Sequence, residues 1–379
     1  MGSKGQCALD KPGTNPETAP CLTVGRMELE PQSLVRSFIA HPPKGFSADL
    51  SRTGLPMFVT AYDLLTTVDA KLRAAVEKLP LHRYWRRWHT PRVTFIGTTV
   101  TEYAQFPAGI DAFELVRDML TRRGHHPLLI VKDLPAASPL LDQAANERAE
   151  AVKRECERAG FTLIAGQALA YVPIEFSHPD EYLAMRSAGR RKDLRRKLKS
   201  LQQLRITTVP TGEKFDDVAL RGELYALYLS VYAQSEVHFD LLTPEFFSAI
   251  LADADNGGVV FMYHRGEELV GFNLCFVCRD KLIDKFIGLR YPQARELNLY
   301  FVSWMHNLEY ALHAGLKFYV AGWTDPQVKR DLGASFTWTV HAVYARNPML
   351  RWALRRLHRI FEADARWHTE LDSAARAGT

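Results

Sequence analysis

The sequence predicts a mixed α/β fold of the α+β kind, built as two units in tandem, each a mostly antiparallel sheet flanked by helices. Three observations point there. Both halves alternate short apolar runs of strand length with longer segments of helical period. The second half orders them as helices, an antiparallel meander, a helix and a further strand. The two halves are also similar in size, although their residues do not visibly repeat.

The 379 residues suit two domains. Residues 1–29, rich in Gly, Pro, Thr and Lys and lacking an apolar signal core, read as a flexible tail. The first unit spans residues 30–178. It opens with an apolar run at 58–65 and a helical segment at 69–78, then a strand at 92–97. Residues 111–123 form an amphipathic helix, with Asp111 as N-cap and Gly124 as stop. A buried strand at 128–134, a helix at 145–159 and strands at 161–165 and 168–172 follow. The second unit spans 179–379, with a short helix opened by Pro179, a basic helix at 190–204, and apolar-faced helices at 220–235 and 244–252. Strands at 259–264, 268–277, 281–289 and 316–320 come next. Arg265-Gly266-Glu267 turns the first two into a hairpin, and a helix at 297–314 precedes the last.

Composition excludes several classes of protein. No run reaches the roughly 18 apolar residues of a spanning helix. Five scattered cysteines fit a reducing, cytoplasmic setting. Cys275 and Cys278 sit three apart on a strand, so they point to opposite faces, and no nearby His completes a metal set. The net charge of +5 is concentrated: residues 186–205 hold nine basic residues and one acid, and the rest of the chain is close to −3. Leu194, Leu198 and Leu201 give the basic helix an apolar stripe. It reads either as a solvated amphipathic helix or as an anion site for a CoA phosphate, a nucleotide-linked acceptor or tRNA, with membrane contact as a third use. Arg351, Arg355, Arg356 and Arg359 would extend the patch.

Three stretches of the last 200 residues carry a resemblance: the basic run Arg190 to Leu198, the helix end Ala311-Leu312-His313-Ala314-Gly315, and a strand followed by Lys329-Arg330-Asp331-Leu332-Gly333. In this order they resemble the Fem-like branch of the GNAT superfamily, which includes peptidoglycan biosynthesis and recognition N-acyltransferases. Fem-like proteins hold two GNAT-like units, which would account for the first half.

The resemblance implies roles for particular residues. GNAT folds bind the donor pyrophosphate where a splayed strand meets a helix N-terminus, which falls here on residues 291–298. The usual Gly-rich loop is missing and Glu296 is unfavourable there; Arg295, Leu297 and Asn298 are the donor-binding candidates. Lys329 matches the family lysine before the Leu-Gly turn, beside the transfer centre, with a solvated turn lysine as the alternative. Tyr300 would return a proton to the leaving group, while His306 reads as a helix-surface or interface residue. Asp284 and Lys285 lie mid-strand on opposite faces. Asp284 is the candidate for general base or for orienting the acceptor amine, unless it serves a salt bridge. Trp323 and Asp325 beyond the last strand, and Glu236, His238 and Asp240 in a loop, are the acceptor candidates. The last three share a face if that loop is extended. They also look like a metal trio, but nothing else supports a metal.

No Gly-x-Ser-x-Gly elbow and no reactive cysteine context point to a covalent intermediate. The expectation is direct attack of a small-molecule or peptide amine on an acyl donor, acyl-CoA first, with no permanently bound cofactor. The alternatives are a Fem-type amino-acid transferase that takes aminoacyl-tRNA on the basic helix, or a non-catalytic module for an anionic partner. The oligomeric state is left open.

Overall fold

The structure, a computed structural model, describes residues 29–63, 90–235 and 238–357. The expected helix at 69–78 and residues Glu236 and Arg359 lie outside the described residues. In the first half, α1 (Gln32–Ala40) precedes β1 (Ser47–Leu50), β2 (Pro56–Ala61) and β3 (Arg92–Ile96). Then come α2 (Ala112–Arg122), β4 (Leu128–Ala136), α3 (Gln143–Arg158) and β5 (Thr162–Pro173). The second half begins with α4 (Pro179–Ala184), α5 (Ala188–Lys197), β6 (Arg205–Pro210), α6 (Val218–Tyr232) and α7 (Pro244–Ala252). It continues through β7 (Gly258–Arg265), β8 (Glu268–Cys278), β9 (Lys281–Leu289), the single turn α8 (Gln293–Glu296) and α9 (Leu299–His313). It closes with β10 (Phe318–Gly322), α10 (Pro326–Leu332), β11 (Ser335–Ala345) and α11 (Pro348–Leu357).

The strands form one sheet in the order β1-β2-β3-β4-β11-β5-β10-β9-β8-β7-β6. It has the same pattern from either end. An antiparallel meander leads inward to one parallel pair, β3 with β4 on one side and β9 with β10 on the other. A parallel connection needs a crossover, and α2 and α9 supply it. The halves then exchange strands: β11 pairs with β4, β5 pairs with β10, and β5 and β11 pair with each other at the centre. A boundary between residues 178 and 179 therefore leaves each half without a strand that its sheet uses.

Local chemistry explains the helices that carry this plan. Asp111 accepts from the Glu114 amide and caps α2, while Gly124 takes φ +60 just beyond it. In α9, Leu299, Val302, Met305 and Leu308 recur at three-residue steps and face the sheet together with Trp304 and Ala311. Helices α1, α6 and α7 pack into one core with β2, β3, β7 and β8, centred on Phe38, Phe58, Phe95, Phe246, Phe247 and Phe272. That core spans both halves.

Three expectations are corrected. Residues 161–172 form one continuous strand, β5, because β10 and β11 clamp it from both sides. Strands β1, β6 and β11 have no counterpart in the sequence reading. The basic helix ends at Lys197, and a 3-10 turn over Leu198–Gln203 replaces its last turn. Ser200 is buried in that turn and donates to the Leu297 carbonyl at 2.5 Å, so the rotation leaves Leu201 exposed rather than in line with Leu194.

Candidate active site

Strands β9 and β10 are paired only from Lys281/Phe318 to Ile283/Val320. Beyond these residues they part. On the other flank of β10 the register with β5 slips between Val320 and Gly322, and Gly322 takes φ +80. A side chain there would begin 3.9 Å from both the Asp284 carbonyl oxygen and the Lys329 amine, so this gap is where Lys329 points.

The Lys-x-x-Leu-Gly motif has a plain geometric reading. It is the last turn of α10, so Lys329 and Leu332 share the helix's inner face and both are buried. Gly333 closes the helix at φ +103, donating to the carbonyls of Lys329 and Arg330. Its missing side chain is also needed for space: a Cβ would fall 1.6 Å from the Arg186 guanidinium. Arg186 lies over the Tyr182 ring, and the Tyr182 hydroxyl donates to the Leu332 carbonyl at 2.5 Å. Arg190 of the basic helix α5 pairs with Asp331 at 2.6 Å. The lysine helix is thus held by α4 through Tyr182 and by the basic helix α5 through Arg190.

Lys329 is only 4% exposed, which removes the solvated-turn alternative. Its Nζ donates to the Ala321 carbonyl at 2.5 Å. Burial pulls the amine down to about 8, against the opposing pull of the carboxylates of Asp284, Glu102 and Asp325. At neutral pH it is a mostly protonated cation with an unusually small hold on its proton.

Asp284 stands behind it. One carboxylate oxygen accepts from Asn273 Nδ2 at 3.0 Å, with the Cys275 thiol at 3.8 Å. The other accepts from Asn307 Nδ2 at 3.0 Å and from the Tyr319 hydroxyl at 2.9 Å. Burial raises its carboxyl above the usual range, and Tyr319, Asn273 and the Lys329 charge oppose the rise. Both oxygens are engaged by neighbours fixed in the fold. Tyr300, near the start of α9, has a buried hydroxyl without a hydrogen-bond partner. Burial keeps its proton on above the usual tyrosine range, helped by Asp325 and Asp284.

Lys285 points the other way, as alternation requires. Its Nζ donates to Glu102 at 2.7 Å and to Glu30 at 3.2 Å, both from the first half. Burial works against the Lys285 charge, but the two carboxylates outweigh it and hold the amine above its ordinary value. Glu30 is pushed up to about 7, by burial first. This cluster pins β9 beside the gap to the first half.

The structure therefore gathers Lys329, Asp284 and Tyr300, with Asp325 exposed at the start of α10. Trp323 is half-buried and packs with Ile283 and Val320. His306 is not on the surface: its Nε2 is buried and unpartnered, its ring lies 4.7 Å from Phe261, and burial lowers it to about 4. His238 and Asp240 have separate surroundings. His238 is exposed, 2.9 Å from the Tyr232 carbonyl, while Phe239 enters an aromatic cluster with Phe46, Phe58 and Phe95. Burial raises the Asp240 carboxyl, opposed by Thr99, Lys132 and Lys285, which places it on the far side of β9 from Asp284.

The donor loop is closed on itself. The amides of residues 294 to 298 all donate within the loop, to the carbonyls of Arg290, Pro292, Gln293 and Arg295. Leu297 has a core side chain, and Arg295 is exposed, bonded to Gln234 at 2.8 Å and lying over the Tyr291 ring. Asn298 takes φ +51 and starts α9. A cavity of about 310 Å³ opens at the opposite end of β9 and β10, lined by Leu29, Leu140, Cys278, Arg279, Lys281 and Phe318, and includes none of these groups.

Sequence reasoning missed Glu30, Glu102, Asn273, Asn307 and Arg186. The two asparagines had a signal: each is a lone polar residue inside an apolar element, the pattern of a buried network. The glutamates had none, since Glu30 and Glu102 lie 255 and 183 residues from Lys285.

A parted parallel pair, a helix N-terminus above it and a buried lysine beneath it are the layout of a GNAT-type acyltransferase fold. Residues 188–330 match the family model of the acetyltransferase (GNAT) domain. No curated protein sequence matches the chain. Solved structures share the fold over both halves. The C-terminal domain of a protein assigned as a lysylphosphatidylglycerol synthetase, from Agrobacterium fabrum, superposes with a TM-score of 0.50 at 13% identity, covering 85% of this chain and 89% of that one. L-PGS from Bacillus licheniformis gives 0.50 at 8% identity, over 88% and 98%. FemX gives 0.48 at 11% identity, over 87% and 99%.

Proposed function

We propose that the protein moves an acyl group from an activated donor to an acceptor amine by direct attack at the gap between β9 and β10. The observation that carries this is the Lys329 amine, buried and cationic where the strands part. A fixed cation there stabilises the negative charge that develops on the attacked carbonyl oxygen, and it does so more strongly in a dry site than in water. An amine near 8 is also close to neutral in its hold on a proton, so it can protonate the leaving group. Tyr300, which keeps its proton, is a second donor for that step. Asp284 acts through Lys329: with both oxygens engaged it sustains the lysine's charge rather than removing a proton from the acceptor.

Two donors fit, and we favour aminoacyl-tRNA. The amides of 294–298 are spent, so the usual pyrophosphate cradle for CoA is not formed. The exposed Arg190, Lys192, Arg195, Arg196 and Lys199 on and just beyond α5 offer a phosphate-binding face joined directly to the lysine helix. The acetyltransferase family match and the N-terminus of α9 support acyl-CoA as the second reading. Either donor places the reaction in the cytoplasm. Transfer of labelled acyl groups to a panel of amines, from aminoacyl-tRNA and from acyl-CoA in parallel, tests both. Transfer from neither, with full-length folded protein, overturns the proposal.

A further inference from the structure

Helix α11 exposes the wrong face for a surface helix. Arg351, Leu354 and Arg355 turn inward: Arg351 donates to the Tyr344 hydroxyl at 2.8 Å, Leu354 packs on the core beside Val343, and Arg355 approaches Gly160. Met349, Trp352 and Arg356 turn outward, and Met349 is 79% exposed, Trp352 64% and Leu350 39%. An amphipathic helix that presents its large apolar groups to solvent normally has something to cover them. The charge on the helix itself has one sign. The helix holds three arginines and no acid, Arg356 stacks on Trp352, and the exposed Arg346 precedes it. Arg346 also reaches the His125 carbonyl, and Arg123 lies over Tyr344, so the basic surface continues past the helix.

We propose that α11 docks on an anionic lipid bilayer. Trp352, Met349 and Leu350 enter the boundary between headgroups and acyl chains, and Arg346 and Arg356 meet the lipid phosphates. Nucleic acid would use the arginines but leave the thioether and alkyl groups in water. A second copy would set one acid-free basic helix against another, which repels.

The test is flotation of the full chain with vesicles of phosphatidylcholine alone and of phosphatidylcholine mixed equally with phosphatidylserine. Binding is expected to the mixed vesicles only, weakening as salt rises. Arg346→Gln and Arg356→Gln should each cost about five-fold in binding, and both together roughly twenty-five-fold. Trp352→Ser should cost at least about ten-fold. Its melting curve, measured alongside, should be unchanged. No flotation with either vesicle, equal flotation with both, or a dimer in light scattering that Trp352→Ser abolishes would each overturn the proposal. Vesicle binding is read without enzymatic activity, so it stands or falls apart from the acyl-transfer reading.

Discussion

Replacing Lys329 with Met should remove activity and at the same time relieve the fold of a buried cation. Met keeps the stem's volume and drops the charge. The amine sits near 8 instead of its ordinary 10.5, so holding it protonated inside the fold costs about 3 kcal/mol at neutral pH. Losing the hydrogen bond to the Ala321 carbonyl costs about 1–3 kcal/mol in return, so the net change near neutrality is small. The pH dependence is sharper, because terms that do not titrate cancel. The unfolded chain binds more protons than the folded one between about 8 and 10.5, so wild-type stability rises with pH through that window. Urea unfolding of both proteins at about pH 7 and about pH 10 should show wild type gaining about 2–3 kcal/mol on the variant. In steady-state transfer, kcat should fall about 10²–10³-fold. A stability difference that does not change with pH would refute the buried, weakened amine, and unchanged turnover would refute its role in the chemistry.

Other perturbations test neighbouring parts of the site. Asp284→Asn removes a carboxylate that sustains the Lys329 charge, so the alkaline fall of the rate, near 8 in wild type, should move to lower pH; a merely structural loss would lower the rate and leave that limb in place. Gly333→Ala forces a side chain into the left-handed region and against Arg186, and should cost about 2 kcal/mol or more by denaturation. Glu30 titrates near 7 in the fold, so the folded state binds the extra proton and this group's contribution to stability is lost as pH rises from 4.5 to about 7. Glu30→Gln, which keeps the acceptor oxygen, should flatten that part of the stability profile; an unchanged slope would show that Glu30 is not the group responsible.

Much of the fold was legible because apolar runs and caps speak locally. The strands β7 to β10 stand out as runs of Val, Ile, Leu and Phe, and Asp111 and Gly124 bracket α2. What escaped depends on distant partners. Strand β11 alternates Phe336, Trp338 and Val340 with threonines, and only its insertion between β4 and β5 explains it. The end of the basic helix is decided by Ser200 meeting Leu297, a contact between residues 97 apart. For the site, the Lys-x-x-Leu-Gly motif singled out Lys329, but not the burial that moves the lysine's proton. His238 and Asp240 have separate surroundings because Phe239 is drawn into aromatic packing, which the period-two pattern does not weigh.

The most direct measurement is a crystal structure with a non-hydrolysable donor analogue, an aminoacyl group joined through an amide to the 3′ end of an acceptor-stem RNA. The acyl carbonyl oxygen is expected in the gap between β9 and β10, within hydrogen-bond reach of Lys329 Nζ, with the RNA phosphates along α5. An analogue bound with its carbonyl away from Lys329 would contradict the assignment of this site.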